Sequence, residues 1–318
     1  MHRRQFLTTV PLAGLAAGAG LPAGADSHGG DAPALPAAQR FRIGDMTVTA
    51  LSDGYLHIGP EALSGIDADG YDELMRAAFR DPATHPSAVN AFVIESGDET
   101  MIVDAGTGSA MGDTLGKLPA NLEGAGIDPA NVTRLLATHL HPDHVGGAVL
   151  DGAALFPNAE LVVSETDRQF WSDESNFANA GDQAQSFAKL AQNVLSVYGD
   201  RLSPFDGEAD IAPGITAMPL PGHTPGHSGF MLASGDAGLL IWADIVHVPP
   251  VQFARPEVTI GFDVNPEQAA ETRAQILDRV VSDRIMVAGS HMGFPGLANI
   301  AQDGEGYRPV DAHWDYEA

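Results

Sequence analysis

The hexapeptide His139-Leu140-His141-Pro142-Asp143-His144 holds three of the chain's 12 histidines and an aspartate. Imidazole and carboxylate are the usual nitrogen and oxygen ligands of divalent metals. Side chains alternate on an extended segment, so His139 and His141 point the same way and can bind one cation through neutral rings. Pro142 forces a bend that can aim Asp143 and His144 at a second cation. Four such groups buried without a partner would be costly. The apolar run 132–138 precedes the cluster and Val145-Gly146-Gly147 follows it. The cluster therefore falls on a loop at a strand end, where α/β proteins place their chemistry. The chain has no cysteine, which closes thiolate metal sites, disulfides and a cysteine nucleophile together.

The elements that must position this cluster are legible in outline. Strands are expected over 41–52, with a turn at Gly44-Asp45 and a stop at Asp53-Gly54, and over 89–95 and 101–103 around the turn Gly97-Asp98. Further strands are expected over 132–138, 160–163, 215–218 and 285–288, with a hairpin of 230–232 and 239–242 around Gly235-Asp236. Helices are expected over 114–124 and over 266–281, the second opening on a proline. Strands in pairs with helices between them point to layered α/β architecture with mixed sheets. The acidic excess, 42 Asp and Glu against 16 Lys and Arg, gives a formal charge of −26. That charge repels phosphate backbones and anionic lipid and argues against nucleic acid as a partner.

Residues 1–25 are expected to lie outside the fold. Arg3-Arg4 precedes a mild apolar run that ends in Ala23-Gly24-Ala25, the layout of a twin-arginine export signal with a cleavage site. Residues 26–40, rich in Pro, Gly and Ala, read as a flexible leader, and 41–318 as one domain. The expected location is periplasmic or secreted, with no membrane anchor in the mature form, since the apolar run is too short to span a bilayer. Gly106-Thr107-Gly108 is not a nucleotide loop, because Met111 stands where a third glycine is needed. The absence of a G-x-S-x-G elbow disfavours a serine hydrolase. His57 and His85 are lone and read as surface or loop residues, and His313 as part of a solvated tail.

The pattern His139-x-His141-x-Asp143-His144 resembles the signature of the metallo-β-lactamase superfamily. Pro221-Gly222-His223-Thr224-Pro225-Gly226-His227 is similar to a second motif of that family. Asp244 after a buried strand, Gly289-Ser290-His291 and Val103-Asp104-Ala105-Gly106 are similar to three more. The resemblance covers roughly 41–307. It implies an αββα sandwich, two packed mixed sheets flanked by helices, with the metal site along their common edge. It implies that His139, His141 and His223 hold one metal, that Asp143, His144 and His291 hold the other, and that Asp244 bridges them. The cations implied are two Zn²⁺, with Mn²⁺, Fe²⁺ or Co²⁺ as alternatives. Two such ions ~3.5–4 Å apart activate water as a bridging hydroxide near neutral pH and polarise a carbonyl or phosphoryl group. Asp143 or Asp244 can pass a proton to the leaving group. Asp104 and His227 are implied as supports of the ligands rather than ligands.

Within the superfamily the chain resembles the methyl parathion hydrolase-like branch and, more distantly, the acyl-homoserine lactone lactonases. The motifs are Trp242-Ala243-Asp244-Ile245-Val246-His247, Pro250-Val251-Gln252-Phe253, the stretch from Ser290 to Gly296, and Gly304-Glu305-Gly306-Tyr307-Arg308. That likeness places Trp171 and Phe187 in an aromatic-lined substrate pocket, together with Met111 at a position where the organophosphate hydrolases have an aromatic. His247, Ile260 and Phe262 are bulky where those enzymes carry smaller or aliphatic groups. A planar lactone or aryl ester needs less room than a tetrahedral triester. The expectation is a lactone or aryl-ester hydrolase with phosphotriester cleavage as a side activity, and the alternative is an organophosphate triester hydrolase. A β-lactamase or a metal-dependent oxidoreductase of the same fold is less favoured. The expected partners are small-molecule esters, lactones or phosphotriesters, with a homodimer as an option.

Overall fold

The computed structural model describes residues 35–84 and 86–312. Residues 1–25, expected as an export signal, most of the expected leader, His85 and His313 lie outside the described residues. The described chain forms two seven-stranded sheets. The first runs, in spatial order, Ala38–Ile43, Met46–His57, Pro86–Ser96, Glu99–Val103, Arg134–Leu136, Glu160–Ser164, Leu202–Phe205. The second runs Ala209–Ala212, Ile215–Pro219, Ser228–Ser234, Ala237–Ala243, Met286–Gly289, Leu297–Asp303, Gly306–Asp311. Both are mixed, so the αββα expectation holds.

Side-chain alternation builds the layers. Met101 and Val103 point into the space between the sheets, and Ile102 points out to the helices. Likewise Leu239 and Ile241 face inward, while Leu240 and Trp242 face the helix Pro266–Asp283. A strand covered on both faces reads as an unbroken apolar run, because either register buries it. On the first sheet the helices Leu118–Gly124, Glu165–Ser172 and Asp182–Tyr198 form the outer layer through Leu118, Leu122, Trp171, Ala191 and Leu195. The helix Pro266–Asp283 starts as its sequence dictates: the Asn265 side chain accepts from the Gln268 N–H, and Pro266 takes the first position.

Three boundaries differ from the sequence reading. The first strand begins at Ala38, inside the stretch read as leader, because its backbone pairs with 46–51. The strand read as ending at Asp53-Gly54 continues to His57 through a bulge there. The helix expected from 114 begins at Leu118. Buried Asp53 explains both of these: its carboxylate accepts from the N–H groups of Thr107, Gly116 and Leu118, which holds 107–117 as a loop. The C-terminal hairpin Leu297–Asp303/Gly306–Asp311 and the helices Ala68–Ala77 and Asp182–Tyr198 carry no expected element. No helix among the described residues is long and apolar enough to cross a membrane.

Candidate metal centre

Asp104, His139, His223, Asp244 and His291 all follow the C-terminal ends of strands. Within each sheet those strands run the same way, so the five residues gather at one edge of the sandwich. Two of the strand exits are strained: Asp104 and Ala243 have φ of 61° and 48°, a left-handed conformation uncommon outside glycine.

The seven expected ligands converge in two groups, His139/His141/His223 and Asp143/His144/Asp244/His291. All seven are buried. The His139 Nε2 lies 3.0 Å from His141 Nδ1, which lies 2.9 Å from His223 Nε2. Asp244 stands between the groups, with Oδ2 3.3 Å from His223 Nε2 and 3.2 Å from His291 Nε2, and Oδ1 3.2 Å from His144 Nε2. Asp143 Oδ2 is 3.3 Å from His291 Nε2.

The protonation pattern of the rings is set from behind. The His291 Nδ1–H donates to the Ala88 carbonyl at 2.8 Å, which leaves Nε2 as the lone-pair nitrogen of the neutral ring. His144 Nδ1 donates to Asp104 at 2.7 Å and His223 Nδ1 to Asp263 at 2.8 Å, with the same result. Asp104 is itself fixed by the Thr138 N–H and hydroxyl. The lone pairs of three imidazoles and two carboxylates therefore face one another in a buried space. His144 Nε2 and Asp244 Oδ1 are buried with no hydrogen-bond partner. Such a set is stable only with positive charge in its midst, as protons or as metal cations. The protonation equilibria say the same. Burial alone would depress His144, but Asp244, Asp143 and Asp104 outweigh it and hold its pKa well above the ordinary value. Burial also opposes protonation of His223 and His291, yet the carboxylates of Asp244, Asp263 and Asp143 raise them to about 9 and about 10. His139 and His141 go the other way, held well below the ordinary value by burial and by neighbouring imidazoles. The donor set is nitrogen and oxygen only, and it fits two divalent cations.

His227 is not among the ligands. Its Nδ1–H donates to the Leu220 carbonyl and its Nε2 accepts from the Asp244 N–H, so it ties one ligand loop to another. His247 stacks on the His291 ring at 5.0 Å and brings Nε2 to 3.1 Å from Asp244 Oδ2. Both of its ring nitrogens are buried without a hydrogen-bond partner, and burial lowers its pKa to about 4.

Above this floor lies a small cleft, partly open to solvent. Met111, Phe187, His247 and Phe262 line it together with His141, Asp143, His223, Asp244 and His291. Trp171 and Ile260 do not line it. Trp171 is 2% exposed, stacked on Phe177 beneath His141, and Ile260 is buried in a small core with Leu63, Tyr71 and Met75. His57, read as a surface or loop residue, is exposed but stands at the cleft with Leu56, Ile58 and Gln183. Asp263, the partner of His223, went unread because it lies 40 residues along the chain in no ligand spacing. One signal was available: an acidic residue two positions before the helix N-cap at Asn265, ahead of Pro266.

A model of the Metallo-beta-lactamase superfamily matches residues 85–291. The chain is 29% identical over 122 residues to the N-acyl homoserine lactonase AttM of Azorhizobium caulinodans, covering 38% of this chain and 44% of that protein. It is 22% identical over 170 residues to an N-acyl homoserine lactonase of a Bacillus species, covering 54% and 60%. The chain thus spans about half the length of the curated relatives it matches. Among solved structures, the hydrolase AbOPH of the beta lactamase superfamily superposes with a TM-score of 0.84 at 30% identity, over 89% of this chain and 99% of that one. AidC, described as a dizinc quorum-quenching lactonase, superposes with a TM-score of 0.83 at 23% identity, over 88% and 99%, and so shares the fold. On its motifs, its two packed sheets and this match, the chain belongs to the metallo-beta-lactamase superfamily.

Proposed function

We propose that the protein is an exported binuclear metal-dependent hydrolase that opens lactones or cleaves aryl esters, with phosphotriester hydrolysis as a side activity. The observation that carries the reading is the convergence of seven buried ligand side chains in two groups, five of which, His141, Asp143, His223, Asp244 and His291, line one cleft. His139, His141 and His223 would hold one divalent cation, Asp143, His144 and His291 the other, and Asp244 both; zinc suits the donor set. The cations, when bound, supply Lewis acidity toward a C=O or P=O group and a lowered pKa for water.

The chain's own residues do the rest. Asp104, Asp263 and the Ala88 carbonyl hold three imidazoles in the tautomer that presents Nε2 to the floor. Asp143 faces the cleft and is more exposed than Asp244, 9% against 3%, so it is placed to carry a proton to the leaving oxygen. His247 lines the cleft with its ring packed on His291 and Nε2 beside Asp244, and burial, which lowers its pKa to about 4, keeps it from adding a positive charge there. Leu56, Ile58, Met111, Phe187 and Phe262 make the walls apolar, which favours an uncharged substrate. His247 and Phe262 narrow the floor, which favours a flat ring over a tetrahedral triester. Likeness to the AttM lactonase supports the lactone reading.

The test is a panel of lactones, aryl esters, phosphotriesters and β-lactams compared by kcat/KM on the purified protein. Lactones or aryl esters should lead. A lead by phosphotriesters would favour the organophosphate reading, and a lead by β-lactams would overturn both. Export rests on Arg3-Arg4 before the apolar run. Arg3→Lys with Arg4→Lys should retain the precursor in the cytoplasm, and unchanged export would refute the twin-arginine route.

A further inference from the structure

Asp167, in the first turn of the helix Glu165–Ser172, is a fully buried carboxylate outside the metal floor. Its Oδ2 accepts from the Leu140 N–H at 3.1 Å and its Oδ1 from the Gly226 N–H at 2.8 Å. Leu140 sits between His139 and His141. Gly226 belongs to the loop that carries His223. One side chain therefore clasps the backbones of both segments that supply the three-histidine group. The contact needs two acceptors back to back, which a carboxylate provides; an amide in its place would turn an N–H toward one of the two backbone N–H groups. It also needs Gly226, because a Cβ there would meet the Asp167 nitrogen at 2.4 Å. Burial penalises the ionised form, so the arrangement is kept against a cost.

We propose that Asp167 is a positioning residue that sets the spacing of the His139–His141 segment against His223, and thereby the cation affinity of that group. The inference rests on the reading that these three histidines hold one of two cations. A residue that only stabilised the fold would loosen both cation groups alike. Asp167 holds both segments of the three-histidine group; of the other group it reaches only the segment that continues to Asp143 and His144, and not those that carry Asp244 or His291, so the three-histidine group should lose more.

The experiment is a zinc titration of the metal-stripped full chain against a chromophoric chelator, for wild type, Asp167→Asn, Asp167→Glu and His223→Ala. The wild type should take two equivalents. Asp167→Asn should weaken one equivalent by about 10- to 100-fold, the range seen when support of a metal ligand is lost. That equivalent should be the one missing in His223→Ala, and the other should weaken by a clearly smaller factor. Asp167→Glu should weaken the same equivalent by a smaller factor, and it carries the test alone if Asp167→Asn does not fold. Unchanged affinities, or equal weakening of both equivalents, would overturn the proposal. A wild type that fails to bind two equivalents would contradict the metal reading itself.

Discussion

His144, His223 and His291 on the cleft floor each commit one ring nitrogen to a fixed acceptor, namely Asp104, Asp263 and the Ala88 carbonyl. Met111, Phe187 and Phe262 on the walls are partly exposed and held by packing alone. The floor residues leave strand ends of two sheets; the wall residues come from loops and from the helix Asp182–Tyr198. A carbonyl and a phosphoryl group make the same demand on such a floor, so discrimination between substrates has to come from the walls. Chemistry and selectivity are thus assigned to parts of the molecule with different rigidity. Substitutions should separate them.

The largest effect is expected at the residue shared by both cation groups. Asp244→Ala should bind fewer than two zinc equivalents and lose on the order of 10³-fold in kcat/KM on every substrate, the upper end of what one charge-stabilising group contributes. Wild-type rates in that variant would remove Asp244 from the floor. Next come the supports. Asp104→Asn and Asp263→Asn should each cost about 10- to 100-fold in metal affinity or activity. Both losses should be uniform across substrates; a substrate-dependent loss would blur the line between floor and walls.

Metal removal tests the same half of the comparison. A chelator should abolish activity, and added zinc should restore it. Stripping should become easier as pH falls. His144, His223 and His291 have raised proton affinities in the metal-free protein, the last two near 9 and 10, so protons compete with the cations for these nitrogens. Zinc affinity should therefore rise as pH increases from 6 toward 9. An affinity that is flat over that range, measured by competition titration, would argue that these imidazoles are not ligands.

The floor was legible in the sequence because metal ligation imposes types and spacings. His139 and His141 stand two apart on an extended segment, and Asp244 and His291 follow short buried strands. The paired sheets were legible for a related reason, since strands covered on both faces read as apolar runs. The supports were legible only in part. Asp104 follows a strand end, but Asp263, Asp167 and Asp53 act through contacts 40, 27 and 54 residues or more along the chain, which no local pattern encodes. The walls were least legible. Trp171 and Phe187 are both aromatic residues on helices, yet Trp171 turns into the core beside Phe177 and Phe187 turns to the cleft. His57 looked isolated because the bulge at Asp53 carries its strand further than the glycine suggested.

At the border between floor and wall, His247 has a ring between His291 and His223 and an edge on the cleft. His247→Leu should raise the phosphotriester-to-lactone ratio of kcat/KM by about 10-fold or more, within the range that pocket fit confers. If both activities fell together and the ratio stayed flat, His247 would belong with the floor as a group that contacts the reacting atoms.

The smallest effect is expected at Ile260, which sequence similarity placed in the pocket and the structure places behind it. Its side chain is 1% exposed and packs with Leu63, Tyr71, Met75 and Val258. Its backbone N–H donates to Asp263, a bond that no substitution short of proline removes. Ile260→Val deletes one methylene from that core and should cost about 0.5–1.5 kcal/mol of stability, measured by denaturant unfolding. The cleft gains nothing directly, because Phe262 and not Ile260 forms its surface. The lactone-to-phosphotriester ratio should therefore move by less than about 2-fold, a shift too small for an altered pocket contact. A larger shift would mean that the wall extends a layer deeper, with the core beneath Phe262 setting where that ring stands.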